Sequence, residues 1–176
     1  MLELGEAPQK IVAGDLAPER LAAANIHPVS RLATDYLNHF NNVVMLLDLI
    51  PSMPDCIEEV LEWRPMDYCS YFEASRFRER DLAVRAYNAA DPATRQAFEG
   101  VIAELDDSVI AAQAMLGGPE ATSPETLAHL RDLVRSRLQP LISEAGGLIN
   151  GQPLPDVLPS EDANGSAQDS IDELFG

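Results

Sequence analysis

The sequence predicts an all-α protein: an antiparallel bundle of four to five helices with a flexible C-terminal linker and a short terminal helix. Three observations carry that prediction. A polar residue followed by proline opens a long apolar-periodic run three times, at His27-Pro28, Asp91-Pro92 and Ser123-Pro124. No window alternates apolar and polar residues with the β-branched enrichment that a half-buried strand needs. The pairs Gly117-Gly118 and Gly146-Gly147 stand where helices are expected to stop, because glycine admits the positive φ of a helix terminus.

Taken in order, residues 1–26 read as a loose N-terminal arm with a weak helical signal around PERLAAAN. A proline at the first helical position costs nothing, since its missing N–H would have had no partner there. Asp91 and Ser123 can accept from the free donors of the first turn, and His27 is a poorer cap. Helices are therefore expected at about 28–50, 92–116 and 124–145. Pro140 should kink or shorten the last of these. Between the first two, PSMP is a turn, DCIEEVLEW (55–63) a short helix, and residues 66–90 one long helix or two shorter ones. The domain plan is then an arm (1–26), a helical domain (27–145), a linker (146–165) and a terminal peptide (166–176).

Charge narrows the function classes. The chain carries 12 Lys+Arg against 29 Asp+Glu, a formal net charge of −17, and Lys10 is its only lysine. Nucleic acid and anionic membranes both need a basic surface, so neither is an expected partner. The N-terminus lacks the basic-then-apolar order of a secretory signal. The most apolar stretch, VVMLLDLI, is interrupted by Asp48 and too short to span a bilayer. Cys56 and Cys69 form no CxxC pair and suit neither a disulfide scaffold nor a four-ligand zinc site. A cytoplasmic location with reduced thiols is the expectation, with no metal or other cofactor on this chain.

After Gly147 the periodicity stops, and no Lys or Arg follows Arg137. A coil of this length reaches roughly 25 Å. Beyond it, Ser166 and Asp169 form the S-x-x-D version of a capping box. Ile171, Leu174 and Phe175 share one side of the short helix so begun, and Asp169, Asp172 and Glu173 surround the rest. A helix this short does not hold in water alone, so it would order only in a partner's apolar groove.

The run Ala167-Gln168-Asp169-Ser170-Ile171-Asp172-Glu173-Leu174-Phe175-Gly176 resembles the peptide by which bacterial chemotaxis and flagellar proteins bind the response regulator CheY. That peptide begins the switch protein FliM, and a looser acidic relative ends the phosphatase CheZ. The matching positions are Gln168, Asp169, Ile171, Asp172 and Leu174, with Phe175 as the final apolar residue and Ala167 in place of the usual serine. The resemblance implies a CheY-like response regulator as partner, with any Mg²⁺ belonging to the regulator. The middle of the chain resembles uncharacterised α-proteobacterial proteins, a likeness that implies no function.

A tethered docking peptide is useful if the folded domain acts on what it catches. The candidate surface lies in residues 31–50. Leu32, Tyr36, Phe40, Val43, Leu47 and Ile50 form the expected core stripe of a helix with period 3.6. Asp35, Asn38 and Asn42 fall together on another side, and Met45 and Leu49 continue it as an apolar contact patch. Removing an aspartyl phosphate needs a water held in line, which an amide can orient while an acid engages the regulator's lysine. Asp35-x-x-Asn38 is similar to the acid-x-x-Asn spacing of the CheC/CheX phosphatases, with Asp for Glu; the CheZ catalytic stretch is absent. Partner contacts are thus expected at Asn42, Met45 and Leu49 as well as in the tail.

Two other classes compete. A non-catalytic helical scaffold, including a homodimer, would use the same strip as ordinary surface. A histidine phosphotransfer protein would use His39, whose His-Phe-Asn-Asn setting is similar to the HDFNN box of some histidine kinases but shifted by one position. His39 lies beside the core stripe, which suits a packed histidine better than an exposed phosphate carrier. The run Arg76-Phe77-Arg78-Glu79-Arg80-Asp81 holds the densest positive charge and reads as a solvated face or as a cleft for the protein's own tail.

Overall fold

A computed structural model describes residues 16–151. The fold is all-α, and there is no strand among the described residues. Its helices are α1 (Pro18–Ala23), α2 (Asn38–Leu49), α3 (Cys56–Glu62), α4 (Tyr68–Ala74), α5 (Arg80–Asn88), α6 (Pro92–Leu116), α7 (Pro124–Leu133) and α8 (Gln139–Ile149). They are more numerous and shorter than four or five. The core is closed by Tyr36, Phe40, Phe72 and Phe98 together with Leu21, Ile26, Leu32, Leu82 and Leu105, all fully or almost fully buried. α6 packs along α8, α4 against α5, and α2 against α3.

The caps behave as the residue types dictate. Asp91 accepts from the Thr94 N–H at 3.2 Å and Ser123 from the Thr126 N–H at 3.1 Å, so α6 and α7 start at their prolines. The 66–90 stretch divides in two: Asp67 accepts from the Ser70 N–H at 2.7 Å to open α4, and extended backbone at Ser75 closes it. α3 ends against a side chain from far along the chain, Gln113, whose Nε2 donates to the carbonyls of Val60 (2.9 Å) and Trp63 (2.8 Å).

Four boundaries differ from the sequence expectations. His27-Pro28 opens no helix. Its imidazole Nδ1 instead accepts from the N–H groups of Val29 and Ser30, and Arg31 adopts φ 64°. A left-handed residue there breaks helical propagation, so the chain restarts as a 3₁₀ turn at Thr34–Leu37 that feeds α2. The arm is shorter than 1–26, because Leu16, Leu21, Ala24 and Ile26 are core residues. Burying Leu21 within α1 and Ile26 just after it contributes roughly 2–3 kcal/mol each and holds this segment on the core.

Gly146-Gly147 do not stop the last helix, which runs on to bury Leu148 and Ile149; the left-handed residue is Gly151 at φ 87°. The linker therefore starts no earlier than Asn150. Gly117 likewise ends α6 with φ −80°, in the right-handed region. Near Pro140 the helix changes type. The turn just before α8, Val134–Leu138, widens into a π-helix with Val134 and Leu138 buried. Proline has no N–H for the carbonyl four residues back and its ring crowds that carbonyl, and a π turn is a recurrent way to absorb the misfit.

Ser30 ties the two ends of the described chain. It is buried, its hydroxyl donates to the Ile149 carbonyl at 2.5 Å, and it accepts from the Leu32 N–H at 3.2 Å. The positions predicted for the linker beyond residue 151 and for the terminal peptide lie outside the described residues.

Candidate functional site

The predicted core stripe is all buried: Leu32, Tyr36, Phe40, Val43, Leu47 and Ile50 face inward. That fixes the opposite register of the strip between them. Asp35 sits in the 3₁₀ turn and is half-buried, while Asn38, first residue of α2, is exposed. The structure brings the two together: Asn38 Nδ2 donates to Asp35 Oδ1 at 3.4 Å. The other carboxylate oxygen, Oδ2, accepts from the Tyr71 hydroxyl at 3.4 Å. Burial, followed by the Asp35 charge and hydrogen bond, pushes the Tyr71 phenol up, whereas a hydrogen bond with Asn38 draws it back. Acid, amide and phenol thus form one small polar cluster at the start of α2.

Sequence reasoning missed Tyr71. It comes from α4, 36 positions from Asp35, and no local spacing links them. Further along the strip, Asn42 is exposed and Met45 is 54% exposed, so these two continue the outward face. Leu49 does not join them as a free contact residue. It is half-buried and packs against the core. Gln168, Asp169, Ile171, Asp172, Leu174 and Phe175 lie outside the described residues.

Chemically, the cluster offers a carboxylate held by two donors and an exposed amide with an oxygen and nitrogen to direct. Such a pair can accept a cationic side chain and orient a water molecule. Thiolate chemistry has no support nearby: burial, then the charges of Asp67, Glu73 and Glu99, pushes the Cys69 thiol up. Among the described residues no group of His, Cys, Asp and Glu side chains is arranged to hold a metal ion. No helix among them is long and apolar enough to cross a membrane.

His39 is half-buried and doubly engaged. Its Nε2 lies 2.9 Å from the Arg64 carbonyl, which can only accept, so Nε2 carries the proton. The ring stacks on Trp63 at 4.7 Å between centroids, and the indole N–H of Trp63 donates back to the His39 carbonyl at 3.0 Å. Desolvation lowers the imidazole's affinity for a second proton, against the smaller opposing pull of the Arg64 carbonyl. A nitrogen bonded this way is not free to carry a phosphoryl group. The arginine-rich run is also partly committed: Arg20 pairs with Glu79 at 3.1 Å, and Arg80 donates to the Ser75 carbonyl at 3.2 Å.

In comparisons with family models, characterised proteins and solved structures, the chain matches none of them.

Proposed function

We propose that this protein binds a CheY-like response regulator of bacterial chemotaxis or two-component signalling. Its terminal peptide captures the regulator, and its helical body acts on it or relays its state. The observation that carries this reading is the register of Gln168, Asp169, Ile171, Asp172, Leu174 and Phe175, at the far end of a proline- and glycine-rich stretch with no lysine or arginine. Three apolar side chains fill a groove while the carboxylates meet basic residues at its edge, and ordering the peptide keeps the affinity modest.

Support from the body is the adjacency of Asp35 and Asn38 on an exposed helix start, with Asn42 and Met45 next along the same outward face. In the catalytic version of the proposal, Asn38 orients the water that attacks the regulator's aspartyl phosphate and Asp35 engages its lysine. In the adaptor version the same face only docks. The hold of Tyr71 and Asn38 on both oxygens of Asp35 favours the adaptor, because it gives the carboxylate a structural task. His39 counts against a phosphotransfer reading through its bond to Arg64.

Titration of labelled regulator with a synthetic 164–176 peptide, with the full chain and with a chain ending at residue 165 tests the docking step. Binding to the peptide and the full chain but not to the truncated chain is expected; equal binding by the truncated chain overturns it. Lifetime of the regulator's acyl phosphate separates the two versions. Asn38→Ala should lengthen it by roughly tenfold or more if the amide positions the water, and equal lifetimes with and without the protein leave only the adaptor.

A further inference from the structure

A cavity of about 370 Å³ opens between the loop before α4 and the first half of α6, apart from the Asp35 cluster, and its walls combine two chemistries. The floor is aromatic. Tyr36, Tyr68 and Phe98 contact one another at ring-centroid distances of 5.3 to 6.0 Å, and Tyr87 stacks on Tyr68 at 4.5 Å. The polar ends of these rings are already committed: the Tyr36 hydroxyl donates to the Met66 carbonyl at 2.6 Å, Tyr68 accepts from the Ala33 N–H at 2.8 Å, and Tyr87 donates to Glu99. What the rings contribute to the cavity is therefore mainly aromatic carbon backed by the core.

The remaining polar wall is acidic. Asp67, Glu99 and Asp106 all line the cavity, and no Lys or Arg does. Asp106 Oδ1 is buried without a hydrogen-bond partner. The field is felt at Tyr36, whose phenol is pushed up by burial and then by the charges of Asp106 and Asp67. A cation already associates with this cluster: the Arg95 guanidinium lies 5.8 Å from the centre of the Tyr87 ring, anchored on the carbonyls of Tyr87 and Asn88. Aromatic carbon with carboxylates beside it suits a positively charged group on an apolar body, because burial of the body and ion pairing of the charge add.

From this we infer that the cavity is a binding site for a small organic cation, an amine or quaternary ammonium compound with an aryl or short alkyl body. The volume lies within the range of small-ligand sites. Charge excludes the chain's own C-terminal segment as occupant, since residues 152–176 carry six carboxylate side chains and no Lys or Arg. The carboxylates of Asp67, Glu99 and Asp106 along the wall supply the negative charge that meets the ligand's cation.

The full-length chain titrated calorimetrically at neutral pH with phenethylamine and benzyltrimethylammonium, beside the neutral phenethyl alcohol and the anionic 3-phenylpropanoate, tests the inference. At least one cation should bind at least tenfold more tightly than the alcohol, and the anion should not bind. Asp106→Asn, which keeps the side-chain volume, should cut cation affinity about tenfold and leave the alcohol unchanged. Ala103→Leu, placed on an exposed wall residue, should block every ligand while circular dichroism and melting stay as in the native chain. Equal affinity for amine and alcohol, binding of neither cation, or full affinity in Ala103→Leu overturns the proposal. A chain ending at residue 165 should bind the amine unchanged, so failure here and failure of the regulator reading are read separately.

Discussion

Asp106 shows how one side chain can serve a ligand and strain the fold. Burial, then the neighbouring charge of Asp107, raises its carboxyl from 3.8 to about 6. The folded protein holds this proton more tightly than the unfolded chain does. Between the two values the unfolded state has released the proton and the folded state has not, so stability falls as pH rises through that window. Above it the charge stands in a wall already occupied by Asp67 and Glu99, with one oxygen lacking a partner. Asp106→Asn should therefore raise stability at pH 7.5 by roughly 1 kcal/mol, a figure reduced from the full linkage because the side chain is half-exposed. The gain should vanish near pH 4, as urea unfolding at the two pH values would show; an equal gain at both values sinks this assignment. A variant that loses a ligand while gaining stability is also informative, because poor folding cannot explain the loss.

At the scale of elements, Ser30 joins the loop after α1 to the end of α8. Removing its hydroxyl leaves the Ile149 carbonyl and the Leu32 N–H without this partner in a buried place. Ser30→Ala should cost about 2 kcal/mol, and amide exchange should quicken first at 148–151, where the helix end is tied. Slowed or unchanged exchange there would show that the tie carries no weight. The same elements explain what the sequence disclosed. Periodicity located α3 and α6, and Asp91-Pro92 and Ser123-Pro124 marked starts, because caps and apolar stripes are local physics. His27-Pro28 misled because the deciding residue was Arg31, whose left-handed backbone follows from a loop closed by non-local contacts such as the Arg31 side chain on the Ala89 carbonyl at 2.8 Å. The Gly146-Gly147 stop failed for a related reason: burial of Leu148 and Ile149 outweighs glycine's preference to end the helix. Within the candidate site, the Asp35–Asn38 adjacency was legible from spacing. Tyr71 and the aromatic cavity were not, since both are assembled from segments far apart in sequence.

For the whole molecule, a net charge of −17 acts on stability and on partner capture in opposite directions. Like charges across the body repel, and salt screens that repulsion beyond a Debye length of about 8 Å at physiological ionic strength. Melting temperature should rise as sodium chloride goes from about 50 to 500 mM, by about 2–4 °C for each kcal/mol of repulsion removed. Regulator capture should weaken severalfold over the same range, because in the proposed docking mode the carboxylates of Asp169, Asp172 and Glu173 meet basic residues at the edge of the groove and such rim pairs are screened. The apolar anchors Ile171, Leu174 and Phe175 should keep a salt-resistant remainder, so a triple Ala variant at those positions should lose binding even at low salt. Measured side by side, the two salt responses separate body from tail: a chain ending at residue 165 should keep the gain in melting temperature and have no binding left to lose. Regulator affinity that is flat across the salt range would remove the carboxylates from the docking mode and leave the apolar residues as its sole determinants.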